Sequence, residues 1–156
     1  MITRRPVGSH LAGLWEFPGG KQEGNESLEK CLEREIKEEL GIDIKAGRRF
    51  LSVQYEYETK RITLHVFHCK DLKGRPESLE GQETRWVLPK DLIRYDFPPP
   101  DFEVIEALRS ASLEAKKTGR ICLIGLICSI SLPFTVHHSL FFLVSLVLFV
   151  LFVQPI

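Results

Sequence analysis

The sequence lacks the features of a secreted or disulfide-stabilised protein. Its 156 residues include four cysteines, and no two of them form a CxxC pair. This pattern favours reduced, mostly buried thiols in a cytosolic domain over a disulfide framework or a zinc site. Residues 1–5 include two arginines but lack the apolar run that follows them in a secretory signal peptide. We therefore expect a cytoplasmic location.

The sequence also has no excess of charge of one sign. Lysine plus arginine total 21, and aspartate plus glutamate also total 21. Binding of a long nucleic-acid polymer depends on a basic surface, so we expect no such partner. Any binding of phosphate has to come from a local arrangement of side chains, which favours a small-molecule ligand. For the oligomeric state, a monomer is favoured.

Charge is missing altogether from the C-terminal part of the chain. No aspartate, glutamate, lysine or arginine follows Arg120. This change in composition predicts one domain over residues 1–118 and an apolar extension over residues 119–156.

The apolar extension suits a membrane segment. Residues 134–153 are about 20 positions, near the minimum length that spans a bilayer. Lys116, Lys117 and Arg120 precede them, as expected when the preceding domain stays in the cytoplasm. Membrane contact through residues 121–153 is therefore one prediction. An extension with no evolved role and a buried pair of helices are the alternatives.

Periodicity within residues 1–118 predicts a mixed α/β (α+β) domain. Apolar residues recur every four positions from Leu28 to Leu40, which predicts a helix over residues 27–40 that Gly41 ends. A second helix is predicted over residues 102–117. Strands are predicted in four segments, of which the third is expected to be buried on both faces: residues 2–5, 49–57, 61–70 and 84–88. Residues 14–17 are a short apolar run that Pro18-Gly19-Gly20 ends.

Acidic residues are concentrated on the first predicted helix. Glu35, Glu38 and Glu39 are spaced i, i+3 and i+4, so their side chains share one helix face. A cluster of hard oxygen ligands favours Mg²⁺, or Mn²⁺, which bridge to phosphate oxygens. The neighbouring Arg34 can orient carboxylates through bidentate hydrogen bonds. The alternative is an ordinary acidic surface of a solvated helix.

The spacing argues against that alternative. Gly20 is followed after five residues by Glu26, and after seven more by Arg34-Glu35-Ile36, Glu38-Glu39 and Gly41-Ile42. This pattern resembles the Nudix signature at every specified position. The lead-in Trp15-Glu16-Phe17-Pro18-Gly19-Gly20-Lys21 and the later Phe97-Pro98-Pro99 are similar to the MutT-like subgroup, and the resemblance extends over about residues 2–109.

The resemblance implies an α/β/α sandwich that hydrolyses a nucleoside triphosphate, with oxidised dGTP favoured, to the monophosphate and pyrophosphate. It implies metal ligation by the Gly19 carbonyl and by four carboxylates, those of Glu35, Glu38, Glu39 and Glu80. Glu35 is the favoured general base, and Arg34 and Glu26 complete the catalytic group. For the substrate it implies contacts from five residues, with Lys21 near phosphate and the others around the base: Arg5, His10, Phe17, Lys21 and Asp101.

Two departures from the family pattern leave other functions open. A first strand is expected upstream of the matching region, and the apolar extension is not a family feature. Asp101 stands where some relatives carry Asn, and an aspartate donates a hydrogen bond only when it is protonated. The alternatives are therefore a Nudix hydrolase of ADP-ribose or a dinucleoside polyphosphate, or a membrane-attached remnant with poor catalysis.

Overall fold

The structure is a computed structural model, and it describes residues 1–117 and 147–153. In the described parts of the chain there are two helices, six strands and a 3₁₀ helix over Pro89–Arg94. The helices are α1 (Leu28–Leu40) and α2 (Asp101–Lys117). The strands are β1 (Ile2–Arg4), β2 (Trp15–Glu16), β3 (Asp43–Glu56), β4 (Arg61–Lys73), β5 (Thr84–Arg85) and β6 (Val147–Val153). The predicted mixed fold is confirmed.

Helix α1 begins and ends where local chemistry predicts. The Ser27 hydroxyl accepts a hydrogen bond from the Lys30 N–H at 3.3 Å and caps the first turn. Gly41 adopts φ 69°, a left-handed conformation that favours glycine, and its N–H donates to the Lys37 carbonyl. Between these caps the apolar stripe of Cys31, Leu32, Ile36 and Leu40 is buried. The charged face opposite is therefore fixed relative to the rest of the domain.

The long hairpin of β3 and β4 separates two hydrophobic clusters. On one face of β4, Leu64 and Val66 belong to the cluster that includes the buried residues of α2. On the other face, Phe67 and Cys69 join the cluster formed by the stripe of α1. The prediction that this strand is buried on both faces is confirmed.

A smaller sheet has the order β2-β1-β5, and all of its pairs are antiparallel. Thr3 lies opposite Glu16, and Arg4 lies opposite Trp15. The pairing continues past the end of β1, because the Arg5 N–H donates to the Leu14 carbonyl at 2.9 Å. This sheet therefore holds Arg5 beside Glu16, two residues that contribute to the candidate site.

Residues 147–153 form a strand, where a membrane helix was one of the predictions. Strand β6 runs antiparallel to β4, from Val147 opposite Cys69 to Val153 opposite Thr63. Its run of valine, leucine and phenylalanine suits a sheet, since branched and aromatic residues favour strands. In the described ranges, no helix is long and apolar enough to cross a membrane. Residues 121–146 of the predicted membrane segment lie outside the described residues.

Pairing of β6 with β4 can be tested by proline substitution at two consecutive positions. Successive N–H groups of a strand point to opposite edges, so only one of Val150 and Leu151 donates toward β4. We expect one of Val150→Pro and Leu151→Pro to lower the free energy of unfolding by about 1–3 kcal/mol more than the other. Denaturant unfolding of the full chain measures this difference. Equal effects of the two variants would contradict the pairing.

Candidate active site

The acidic face of α1 lies beside the glycine loop that precedes the helix. The Lys21 N–H donates to Glu35 at 3.2 Å, and the Gly19 N–H donates to Glu39 at 3.3 Å. A side chain at Gly20 would overlap the carboxyl group of Glu35, so only glycine fits there without a shift. The loop and the helix therefore hold each other in place. Gly19 contacts Glu39 through its N–H, whereas the sequence prediction had assigned its carbonyl a metal-binding role.

Arg34 is the centre of the hydrogen-bond network on this face. Its guanidinium donates to both carboxylate oxygens of Glu26, at 2.7 and 3.3 Å. It also donates to Glu35 and to Glu38, each at 3.0 Å, and to the Lys21 carbonyl. Hydrogen bonds from Arg34, and then from the Glu23 N–H, lower the pKa of Glu26 to about 2. One arginine thus links the loop to three carboxylates, as its predicted orienting role requires.

Glu39 lies among several other carboxylates and has no positively charged partner in the described residues. Burial, and then the charges of Glu16, Glu35 and Glu80, raise the pKa of Glu39 to about 8, although the hydrogen bond from the Gly19 N–H opposes this shift. Within the described residues Glu39 forms no ion pair. Glu80 is exposed and accepts a hydrogen bond from Gln82 at 2.8 Å. This excess of carboxylate oxygens fits a hard divalent cation in charge and in ligand type.

The carboxylates of the described residues do not converge on a single point that could hold a metal ion. In the portion of the chain that the structure describes, no three aspartate, glutamate, histidine or cysteine side chains form a metal-binding cluster. Glu35 and Glu38 instead accept hydrogen bonds from Arg34. A divalent cation held by Glu35, Glu38, Glu39 and Glu80 would therefore compete with Arg34 for two of its ligands.

Arg5 and Glu16 form a second group, at the end of the small sheet. The Arg5 Nε–H donates to the His10 carbonyl at 2.6 Å, and one terminal nitrogen pairs with the Glu16 carboxylate. Both side chains are about four-fifths buried, at 19% and 21% exposure. Burial raises the pKa of Glu16, whereas the charge of Arg5 lowers it and the charge of Glu80 raises it. Glu16 is therefore electrostatically coupled to both groups of residues.

Asp101 is the first residue of α2 and has an unusual carboxyl group. Its side chain is 3% exposed, and its Oδ2 atom has no hydrogen-bond partner in the described residues. Burial raises the pKa of Asp101 to about 7; Glu16 raises it as well, and Arg5 lowers it. Tyr57 lies in the same region, since the charge of Asp101 contributes to its raised pKa. An unpaired buried carboxyl next to an arginine can bind the polar edge of a ligand.

The structure separates the other predicted substrate residues. The His10 ring is exposed and lies edge-on to Tyr57, with 6.3 Å between ring centroids. Phe17 is 5% exposed and stacks on Phe97 at 5.3 Å, which makes it a core residue. Lys21 is exposed and lies at the α1 end of the site, where its backbone contacts Glu35 and Arg34. Arg5, His10 and Asp101 thus lie in one region of the site. Phe17 is buried in the core, and Lys21 lies at the opposite end, beside α1.

Sequence reasoning gave no role to Glu16 or Tyr57. Glu16 lies in the short apolar run of residues 14–17, whose sequence supports the family resemblance without giving Glu16 a role of its own. A signal was available, because a single carboxylate between two buried aromatic residues on a strand is unusual unless it has a partner. No comparable signal marks Tyr57, since alternating tyrosines are common in strands.

Comparison with known proteins identifies the family. The model of the NUDIX domain family matches residues 1–107. The chain belongs to the Nudix family. The CTP pyrophosphohydrolase of Escherichia coli is 39% identical over 107 residues, which cover 69% of this chain and 79% of that protein. The 8-oxo-dGTP diphosphatase of the same organism is 38% identical over 108 residues, covering 69% and 84%. The chain is therefore a MutT-like Nudix hydrolase that acts on phosphorus anhydrides, as the signature predicted.

Solved structures of Nudix relatives agree with the fold. The solution structure of the E. coli ORF135 protein is 35% identical, with a TM-score of 0.61 over 78% of this chain and 83% of that one. A structure from work on MutT of Aliivibrio salmonicida and Vibrio cholerae is 31% identical, with a TM-score of 0.58 over 70% and 82%.

The raised pKa of Asp101 has a consequence for stability. The unfolded chain releases this proton near the ordinary aspartate pKa, whereas the folded chain keeps it up to about pH 7. The contribution of Asp101 to stability is therefore lost as pH rises from about 4 to about 7. We expect Asp101→Asn to be more stable than the original chain at pH 8 by roughly 1–4 kcal/mol. At pH 4 we expect this difference in stability to be smaller, because Asp101 is then protonated in the folded chain.

Denaturant unfolding at both pH values measures this effect. The matched control is Asp96→Asn, since Asp96 is exposed on the segment that precedes α2. A stability difference between Asp101→Asn and the original chain that does not change with pH would show that the folded protein does not retain the proton.

Proposed function

We propose that this Nudix hydrolase cleaves a nucleoside triphosphate, with 8-oxo-dGTP favoured, to the monophosphate and pyrophosphate, and so limits mutation. The proposal is supported by the presence of two chemically different groups of residues in one site. Carboxylates of α1 and its loop suit a cation and phosphate, whereas Arg5 and the unpaired carboxyl of Asp101 suit a base edge. Glu16 is coupled to both groups, which supports one ligand extending between them.

At the phosphate end we propose Mg²⁺, with Mn²⁺ as a substitute. When bound, the cation would neutralise phosphate oxygens and lower the pKa of a bound water. Glu35 is proposed as the general base, because its carboxylate is held against the glycine loop by the Lys21 N–H. Arg34 orients the carboxylates and is itself fixed by Glu26. The proposed ligands are Gly19, Glu35, Glu38, Glu39 and Glu80, and Lys21 is proposed to contact phosphate.

At the base end we propose that Arg5, His10, Phe17 and Asp101 bind the nucleobase. Burial favours the protonated form of the Asp101 carboxyl, and a protonated carboxyl both donates and accepts a hydrogen bond. That combination complements a guanine edge, which carries a ring N–H beside a carbonyl oxygen. Phe17 is proposed to support the base from the core. The exposed ring of His10, which lies edge-on to Tyr57, is proposed to contact the base from the solvent side.

A second candidate is hydrolysis of CTP, which the name of a 39% identical relative favours. Cytosine carries an amino donor beside a ring acceptor, so a carboxyl group can pair with it as well. Asp101 alone therefore does not distinguish the two bases. ADP-ribose and dinucleoside polyphosphates are further candidates for the same chemistry.

The substrate is tested by offering the full chain and Mg²⁺ with 8-oxo-dGTP, dGTP, CTP and ADP-ribose, and following release of pyrophosphate or phosphate. We expect the highest kcat/KM for 8-oxo-dGTP. We expect Glu35→Gln to lower kcat by about 10²–10⁴-fold, because it removes the general base, while thermal unfolding stays unchanged. Glu33→Gln is the matched control on α1, since Glu33 pairs with Lys30 and Lys45 outside the site.

Faster turnover of ADP-ribose or CTP than of 8-oxo-dGTP would overturn the substrate assignment. Turnover of none of the four would favour the catalytically poor remnant. Retention of activity by Glu35→Gln would show that another group is the base.

We also propose that the apolar extension brings the cytoplasmic enzyme to a membrane through residues 121–146, with residues 147–153 in the sheet. Basic residues before the extension support this orientation. Fractionation of cells that express the full chain is expected to recover it with membranes, and a variant ending at Arg120 is expected to be recovered without them. Recovery of both proteins in the same fraction would contradict membrane attachment.

A further inference from the structure

Glu16 connects two groups of residues that the sequence analysis treated separately. Its carboxylate pairs with Arg5 on the neighbouring segment of the small sheet. Its charge also raises the pKa of Asp101 at the start of α2 and of Glu39 on α1.

Two contacts fix the guanidinium of Arg5. The Nε–H donates to the His10 carbonyl at 2.6 Å, and Nη1 donates to Glu16. Because a guanidinium is planar, two contacts at different nitrogens determine its orientation. Its second terminal nitrogen has no hydrogen-bond partner in the described residues, so that nitrogen remains available to a ligand beside Asp101. If the contact with Glu16 were lost, rotation about the terminal bonds of the side chain would be restored.

A purely structural ion pair between the strands is the simpler explanation. The neighbouring pair of Arg4 with Glu83 has that character, since its atoms are 3.5 Å apart and its side chains are 52% and 40% exposed. Glu16 differs, because burial raises its pKa and so opposes its charged form. Partly buried carboxylates of this kind contribute little net stability even when they are paired. Its placement is therefore better explained by what it does to Arg5.

We propose that Glu16 is a positioning residue that sets base specificity, because its carboxylate fixes the Arg5 guanidinium in the orientation that reads a nucleobase edge beside Asp101. The proposal rests on the proposed function, in which these residues bind the base. It identifies the recognised ligands as bases with a hydrogen-bond acceptor, such as a carbonyl oxygen, on the edge that faces Arg5. Glu16 then acts on substrate binding and leaves the chemical step unchanged.

Steady-state kinetics of four variants tests this role: Glu16→Gln, Glu16→Ala, Arg5→Ala and the double variant of both alanines. We expect Glu16→Ala to raise KM for 8-oxo-dGTP about tenfold, the cost of one charge-assisted hydrogen bond, with kcat within about twofold. Glu16→Gln keeps an acceptor for Arg5 and is expected to retain most of the affinity. In the double variant, the alanine at position 16 is expected to add nothing to the effect of Arg5→Ala. The matched control is Glu83→Gln, which breaks the neighbouring pair and is expected to leave KM unchanged.

A fall in kcat at unchanged KM would overturn the proposal, since Glu16 would then act through Glu39 and the phosphate end. Additive effects of Glu16→Ala and Arg5→Ala would overturn it as well, because Glu16 would not be acting through Arg5.

A second measurement needs no activity. In ¹⁵N–¹H spectra of the nucleotide-free full chain, we expect a resolved Nη1–H resonance of Arg5, because pairing with Glu16 slows rotation of the guanidinium; the resonance is identified by its loss in Arg5→Lys. It should be lost or averaged in Glu16→Ala and unchanged in Glu83→Gln. An unchanged resonance in Glu16→Ala would overturn the positioning role. If the original chain cleaves no nucleotide while this resonance depends on Glu16, the proposed function fails and the positioning contact stands.

Discussion

Burial of one stripe of α1 is the constraint on which the rest of the site depends. Leu32, Ile36 and Leu40 are fully buried, and each such side chain contributes about 1.5–3 kcal/mol. Repulsion among neighbouring like charges on a helix costs only some tenths of a kcal/mol per pair. The packing of the apolar stripe therefore decides where the opposite face points. Glu35 and Glu39 are held against the glycine loop because the helix has no other way to bury its stripe.

The two arginines of the site form ion pairs with different numbers of carboxylates. Arg34 binds Glu26, Glu35 and Glu38, whereas Arg5 binds Glu16. Glu39 lies between these groups, and within the described residues it has no cation of its own. Burial, and then the neighbouring carboxylates, raise its pKa, and a divalent cation would oppose both effects. The same carboxylates that oppose each other's ionisation are those that would bind a cation most strongly.

Local features were predictable from the sequence and long-range ones were not. The limits of α1 follow from Ser27, Gly41 and the four-residue spacing, all of which act within one helix. The pairing of β6 with β4 joins segments about 80 positions apart, and residues 121–146 immediately before β6 have no charge, so no periodic pattern could reveal it. The burial of Asp101 depends likewise on the packing of α2, and sequence alone equally suited an exposed helix cap. All five substrate residues came from family resemblance, and their spatial grouping required the fold.

Under the proposed function, we expect the choice between an oxidised purine and a pyrimidine to depend on Arg5 more than on Asp101. With its pKa raised to about 7, the Asp101 carboxyl is present in both protonation states near neutral pH, and it can donate to or accept from either base. A group that adapts in this way does not discriminate between ligands. The Arg5 guanidinium only donates, in a direction fixed by Glu16 and the His10 carbonyl, so it rejects a base edge that presents a donor there. We therefore propose that the fixed guanidinium of Arg5 provides specificity for the base, and that the carboxyl group of Asp101 provides affinity.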